Sequence, residues 1–103
     1  MTTKTTTKSS KQPAVQSPTR IGNKVFICTV TKYYTGKIVG LSKEEILLAD
    51  AAWIPDTGRF AQGMASGSMN EVEPYPAEAI VAVQRGGVID VSDWLHDLPR
   101  ATK

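Results

Sequence analysis

A single cysteine, Cys28, and a single histidine, His96, stand among 103 residues. One thiol cannot close an intrachain disulfide, and one Cys with one His cannot complete a four-ligand structural zinc site. A disulfide-stapled secreted scaffold and a zinc finger are therefore excluded. Long apolar runs are missing too. Nothing approaches the roughly 18 consecutive apolar residues of a membrane-spanning helix, so no membrane partner is expected. The N-terminus lacks the apolar stretch of about 7–15 residues that marks a secretory signal, which makes the cytoplasm of a bacterium or an infected host cell the expected location.

Catalytic patterns are equally scarce. No Gly-rich loop ends in Lys-Ser/Thr to cradle phosphate. His96 lies near Asp93 and Asp97, but no serine sits in a nucleophile elbow, because Gly63-Met64-Ala65-Ser66-Gly67 has no strand before it. Cys28 falls inside an apolar run and reads as a small hydrophobe. Glu71 and Glu73 share a face of an extended chain but carry no further motif. The expectation is a protein that is not an enzyme, with no catalytic residues, no metal ligands and no cofactor.

What is present is unevenly distributed. Residues 1–24 hold Lys4, Lys8, Lys11, Arg20 and Lys24 and no acid, while the other 7 of the 12 basic residues share the remaining chain with all 10 acids. The body is thus net acidic beneath a basic arm. A phosphate backbone is repelled by such a body at long range, whereas the arm is attracted to RNA, DNA or an acidic protein surface. Residues 1–22 are mostly Thr, Ser, Lys, Gln and Pro, too poor in apolar area to offset chain entropy, and are expected to form a flexible, disordered arm. A folded body of roughly 80 residues is small; such a body buries only about 60% of its unfolded surface, so oligomerisation is an economical source of further burial.

From Asn23 the pattern is β-like. Val25, Ile27, Thr29 and Thr31 alternate with Phe26, Cys28 and Val30, predicting a first strand. A second spans Tyr33 to Leu41, where Gly36 and Gly40 mark sharp bends. Leu41-Ser42-Lys43-Glu44-Glu45 reads as a turn into a third strand at Ile46–Ala49, which Asp50–Ile54 continues or bends. Pro55-Asp56 breaks the pattern, with Asp56 placed to cap a helix from Thr57 to Ser66 and Gly67 to end it. Glu71–Pro76 reads as an extended connector. Ala79–Val83 and Val88–Val91 are the fourth and fifth strands, joined by a tight turn at Gly86-Gly87.

Two stretches carry a resemblance. Thr35-Gly36-Lys37-Ile38-Val39-Gly40-Leu41, then Ile46-Leu47-Leu48 and Asp50-Ala51, resemble the first motif of Sm and Hfq-like proteins. Ile80-Val81-Ala82-Val83-Gln84-Arg85-Gly86, followed by Val88-Ile89, resembles their second. The resemblance implies a mostly β chain: a small, bent, five-stranded antiparallel Sm-like barrel over residues 23–99, with an insertion at 53–76 bearing one short helix and a tail at 100–103. It also implies assembly edge to edge into a ring, with RNA bases bound by loop residues. Of that base-contacting set only Arg85 has a counterpart, and Ser42-Lys43-Glu44-Glu45 replaces the Asp and Asn usual in the turn. Across residues 25–99, Tyr33-Tyr34-Thr35-Gly36, Asp50-Ala51-Ala52-Trp53-Ile54, Asp56-Thr57-Gly58-Arg59-Phe60 and Glu71-Val72-Glu73-Pro74 together resemble an uncharacterised group of short phage-encoded proteins, which implies a viral gene without supplying a mechanism.

The residues themselves point to a ligand. Asp56-Thr57-Gly58-Arg59-Phe60 combines a helix start, a glycine permitting close approach, a guanidinium and an aromatic face, the parts of a site for a phosphorylated, base-containing molecule. The plainer reading makes Asp56 a cap, Arg59 a surface charge and Phe60 a core anchor. Tyr34 and Trp53, with Tyr33 and Tyr75, offer rings for stacking or for the core. The expected ligand-binding residues are Arg59, Phe60, Arg85, Trp53 and Tyr34. The expected function is a phage-encoded, homo-oligomeric binding protein for a nucleotide-like or nucleic-acid ligand. The alternative is a virion or assembly protein whose basic arm docks on neighbouring subunits.

Overall fold

The computed structural model describes residues 14–103. Among the described residues, six antiparallel strands form one sheet: β1 (Lys24–Thr29), β2 (Tyr33–Leu41), β3 (Glu45–Asp56), β4 (Glu71–Pro74), β5 (Val81–Gln84) and β6 (Val88–Asp93). One helix, α1 (Phe60–Ser66), joins β3 to β4, and a 3-10 turn at Arg85–Gly87 joins β5 to β6. Strand order is β4-β3-β2-β1-β6, with β5 also paired to β3. The mostly β expectation with one short helix therefore holds. The strand count does not, since Glu71–Pro74 is a strand on β3 rather than a connector. Nor do the described strands close into a barrel. The tight hairpin expected at Gly86-Gly87 is replaced by a 3-10 turn between strands that pair with different partners, β5 with β3 and β6 with β1.

β3 holds the architecture together because it bends. β2 runs along one edge, while the other edge takes β5 opposite Glu45–Leu48 and β4 opposite Ala52–Asp56. The bend lies where Thr35 pairs with Ala52 but Lys37 pairs with Ala49, leaving Asp50 and Ala51 opposite Gly36 alone. Asp50 adopts φ 50, outside the usual range for a side-chain-bearing residue. An extra residue of this kind kinks its strand and increases local twist. Gly36 suits this close approach, since a Cβ there would meet the Leu48 side chain at 3.1 Å. Pro55 lies within β3, in the irregular stretch between the Trp53↔Glu73 and Asp56↔Glu71 pairs, where a missing N–H is tolerated.

Both faces of the sheet are covered. In β1, Val25 and Ile27 point one way and Phe26 the other, and all three are buried. The first core unites Val25, Ile27, Ile38, Ile46, Leu48, Ala51 and Val83, drawn from four strands. The second, on the opposite face, unites Phe26, Ala52, Ile54, Met69, Val72 and Trp94, with Met64 of α1 packed against it. Trp94 also donates from Nε1 to the Asp97 carbonyl at 2.9 Å.

The helix is shorter than its capping pattern predicts. Asp56 Oδ1 accepts from the Gly58 N–H at 2.8 Å, and Gly58 has φ 70, so residues 57–59 turn before the helix begins and Asp56 is not its cap. Arg59 occupies that position without a side-chain cap. Gly67 ends the helix as predicted, at φ 78, its N–H donating to the Gly63 carbonyl.

Residues 1–13 of the expected arm lie outside the described residues. From Ser17 onward the described part is fastened to the sheet. The Gly22 N–H donates to the Ile38 carbonyl at 2.7 Å, Asn23 Nδ2 donates to Asp93 Oδ1 at 2.8 Å, and Arg20 pairs with Asp93 at 3.8 Å. Residues 98–103 are likewise tied down. Arg100 donates to the carbonyls of Ala51 and Tyr75, each at 2.7 Å, and Lys103 exchanges two backbone hydrogen bonds with Val72.

Candidate ligand-binding site

Of the five expected ligand residues, four separate into two pairs on opposite faces of the sheet, and Arg85 lies in the 3-10 turn. Tyr34 and Trp53 belong to the first face and are directly paired across β2 and β3. Tyr34 is half-buried against the first core, and Trp53 is more than a third exposed. Lys32 extends its ammonium to 5.5 Å from the Trp53 ring centroid, close enough for a cation–π attraction. Burial, and secondarily the neighbouring Tyr75 phenol, raise the Tyr34 phenol above its ordinary pKa of 10.0, so at neutral pH it is a hydrogen-bond donor and an uncharged stacking surface.

Beside Tyr34 is a cavity of about 210 Å³ lined by Thr29, Tyr34, Ala82, Val83, Gln84 and Gly87. It lies where the end of β1 and the start of β2 face β5 and the 3-10 turn. Gln84 is oriented by an Nε2 donation to Glu45 Oε2 at 2.9 Å. Thr29 is held by its hydroxyl, which donates to the Lys32 carbonyl at 2.8 Å and accepts from the Lys32 N–H at 2.9 Å. Arg85 lies in the turn between Gln84 and Gly87, but its guanidinium is occupied with the Ser42 carbonyl at 2.8 Å while its N–H donates to the Glu44 carbonyl. It ties the β2–β3 turn to the end of β5.

Arg59 and Phe60 stand on the other face. Phe60 is 53% exposed and meets the buried Phe26 edge-on at 5.9 Å between ring centroids. Tyr33, 36% exposed, lies against the same Phe26 ring at 5.4 Å, and Trp94 backs it from the core at 6.2 Å. The result is an aromatic row whose inner members are fixed and whose outer rings reach solvent. Arg59 is exposed, and among the described residues its guanidinium has no hydrogen-bond or ion-pair partner. The seven-residue helix begins after it, so the chemistry of this segment resides in the guanidinium and the ring.

The groups read for catalysis are occupied structurally. His96 Nε2 donates to the Met64 carbonyl at 2.7 Å, and its ring stands edge-on to Trp94. Cys28 is half-buried, and its thiol pKa is raised by burial and then by Asp90, its cross-strand neighbour. Among the described residues no group of three or more His, Cys, Asp or Glu side chains is placed to hold a metal ion, and no helix is long and apolar enough to cross a membrane.

Some contributors escape a sequence reading. Phe26 resembles any core aromatic until the register sets Tyr33 and Phe60 against it. Gln84 and Thr29 have no signal beyond being polar residues at strand ends. Comparison with protein-family models, curated proteins and solved structures finds no match.

Proposed function

We propose that this chain is a non-enzymatic, oligomeric binding protein, encoded by a phage and acting in the host cytoplasm, which takes a nucleotide-like or nucleic-acid ligand. The observation supporting this reading is the exposed Arg59 guanidinium, without a partner among the described residues, beside Phe60, whose ring is seated on the buried Phe26. A guanidinium offers paired N–H donors to phosphate oxygens, and an aromatic ring with a fixed seat stacks a base at little entropic cost. Calorimetry against linear and cyclic nucleotides tests it. Arg59→Ala is expected to abolish the heat of binding, a loss of about 1.5–3 kcal/mol, with stability within roughly 0.5 kcal/mol of the parent protein. No heat from any nucleotide, or parental binding by the variant, refutes the site.

The open edges of the bent sheet support assembly of the kind that the Sm-like resemblance implies. Among the described residues β5 and β6 each have a strand partner on one side only, and Ile80 and Ile89 are more than half exposed next to those edges. Open edges of this kind invite pairing with another copy. Native mass spectrometry is expected to show a closed oligomer, and a monomer of 11.1 kDa at micromolar concentration refutes the ring.

One observation favours the alternative, a virion or assembly protein. Residues 17–23 are fastened at Asp93 and Ile38, which anchors the described end of the basic arm to the body, and the arm's charge suits an acidic neighbour. Removing residues 1–16 should dissolve the assembly under this reading and leave it intact under the first.

A further inference from the structure

We infer that the cavity beside Tyr34 is a second ligand site, separate from Arg59 and Phe60, which takes an uncharged planar heterocycle of the nucleobase or nucleoside class. Its volume of about 210 Å³ equals roughly seven waters at about 30 Å³ each. That is room for a ring system and below the ~300 Å³ at which drug-sized pockets begin.

The chemistry of the walls selects the class. Three consecutive β5 residues, Ala82, Val83 and Gln84, line one side. Their strand pairs with β3 through Ile46↔Val83 and Leu47↔Ala82, and among the described residues no strand covers its other edge. A strand edge presents N–H donors and C=O acceptors in alternation, the complement of a heterocycle carrying donors and acceptors along one side. Tyr34 also lines the cavity and supplies an aromatic ring for stacking. Gln84 adds a further acceptor, because its Nε2 is committed to Glu45 and its Oε1 remains.

Charge weakens binding of the phosphorylated forms. None of the six lining residues is ionised at neutral pH, Glu45 stands behind Gln84, and the Arg85 guanidinium is held at Ser42. A phosphate entering here would lose its hydration without gaining a cation. Access is open at the turn, since no atom lies within 4 Å of where a Cβ on Gly87 would stand.

The test uses the full chain, uniformly labelled with nitrogen-15, titrated with adenosine, guanosine, cytidine and uridine and with their 5′-monophosphates. The amide signals of Ala82, Val83, Gln84 and Gly87 should shift with at least one nucleoside, and the matching monophosphate should bind about tenfold more weakly. Ala82→Phe, which fills the cavity from an exposed position, and Gln84→Ala, which removes the acceptor, should each weaken binding, whereas Arg59→Ala should not. Shifts confined to Arg59 and Phe60 would overturn this inference and leave the function proposed above standing. It is equally overturned if no nucleoside shifts the β5 amides, or if Ala82→Phe binds as the parent does.

Discussion

Replacing Thr35 by valine should make this protein more stable. Thr35 is fully buried on β2, paired in register with Phe26 on one side and Ala52 on the other, and among the described residues its hydroxyl has no hydrogen-bond partner. A buried hydroxyl left unpaired costs about 1–3 kcal/mol in lost hydration. Valine keeps the β-branched shape, and so the strand preference and rotamer restriction, while exchanging that hydroxyl for a methyl. The expected gain is about 1–2 kcal/mol, or roughly 4–15 °C in Tm for a domain of this size. Urea unfolding followed by tryptophan fluorescence reads it, and an unchanged m-value would show that the denatured state is not responsible. Thr35→Ser is the control: it keeps the hydroxyl and loses a buried methyl, and should destabilise by about 1 kcal/mol. If Thr35→Val is less stable than the parent, the hydroxyl has a partner in solution and the reasoning fails.

Glycine substitutions should diverge according to backbone and space. Gly67→Ala puts a Cβ at φ 78 and within 2.6 Å of the His96 ring, so a loss of at least about 1 kcal/mol is expected in thermal unfolding. Gly86→Ala meets no atom within 4 Å and is not in the left-handed region, so the same measurement should show a gain of about 0.4–1 kcal/mol. At alkaline pH, Cys28 and Tyr34 act together. Their folded-state pKa values are raised from 9.0 and 10.0, so the stability they contribute is complete below those values and is lost as pH rises past them. Cys28→Ala and Tyr34→Phe should flatten the decline of urea stability between about pH 9 and 11; an unchanged slope in both variants refutes the assignment.

Alternation made the first half of the sheet readable. Val25 and Ile27 against Phe26 announce a strand covered on both faces, and β2 has the bounds Tyr33–Leu41 that its residues suggest. β4 escaped because Val72 is its one buried residue, set between acids and followed by prolines; only pairing with the extended end of β3 makes it a strand. Asp56 carried the signature of a cap, yet Gly58 at φ 70 turned its carboxylate onto a tighter loop. The two glycines after Arg85 suggested a hairpin, and nothing local reveals that the strands on either side join different neighbours. At the candidate site, the rings of Tyr34, Trp53 and Phe60 were readable as stacking surfaces. Which face each occupies depends on the β-bulge at Asp50 and on cross-strand register. Arg100 was invisible, a cation in a polar tail, until its guanidinium met Ala51 and Tyr75.

That guanidinium has a consequence for the order of events in folding. The carbonyl of Ala51 sits at the bend of β3 and is satisfied in part by a residue 49 positions later, and the β4 backbone at Val72 waits for Lys103. Contacts of such long sequence separation are reached only after extensive loop closure, which slows folding into the millisecond-to-second range typical of β topologies. Until residues 98–103 dock, a chain that has already assembled β1, β2 and β3 carries an incompletely paired bend and a bare β4 edge, the kind of transient surface on which aggregation begins. Chains ending before Arg100 should therefore associate through β4, while a chain with residues 98–103 docked withdraws that edge from competition.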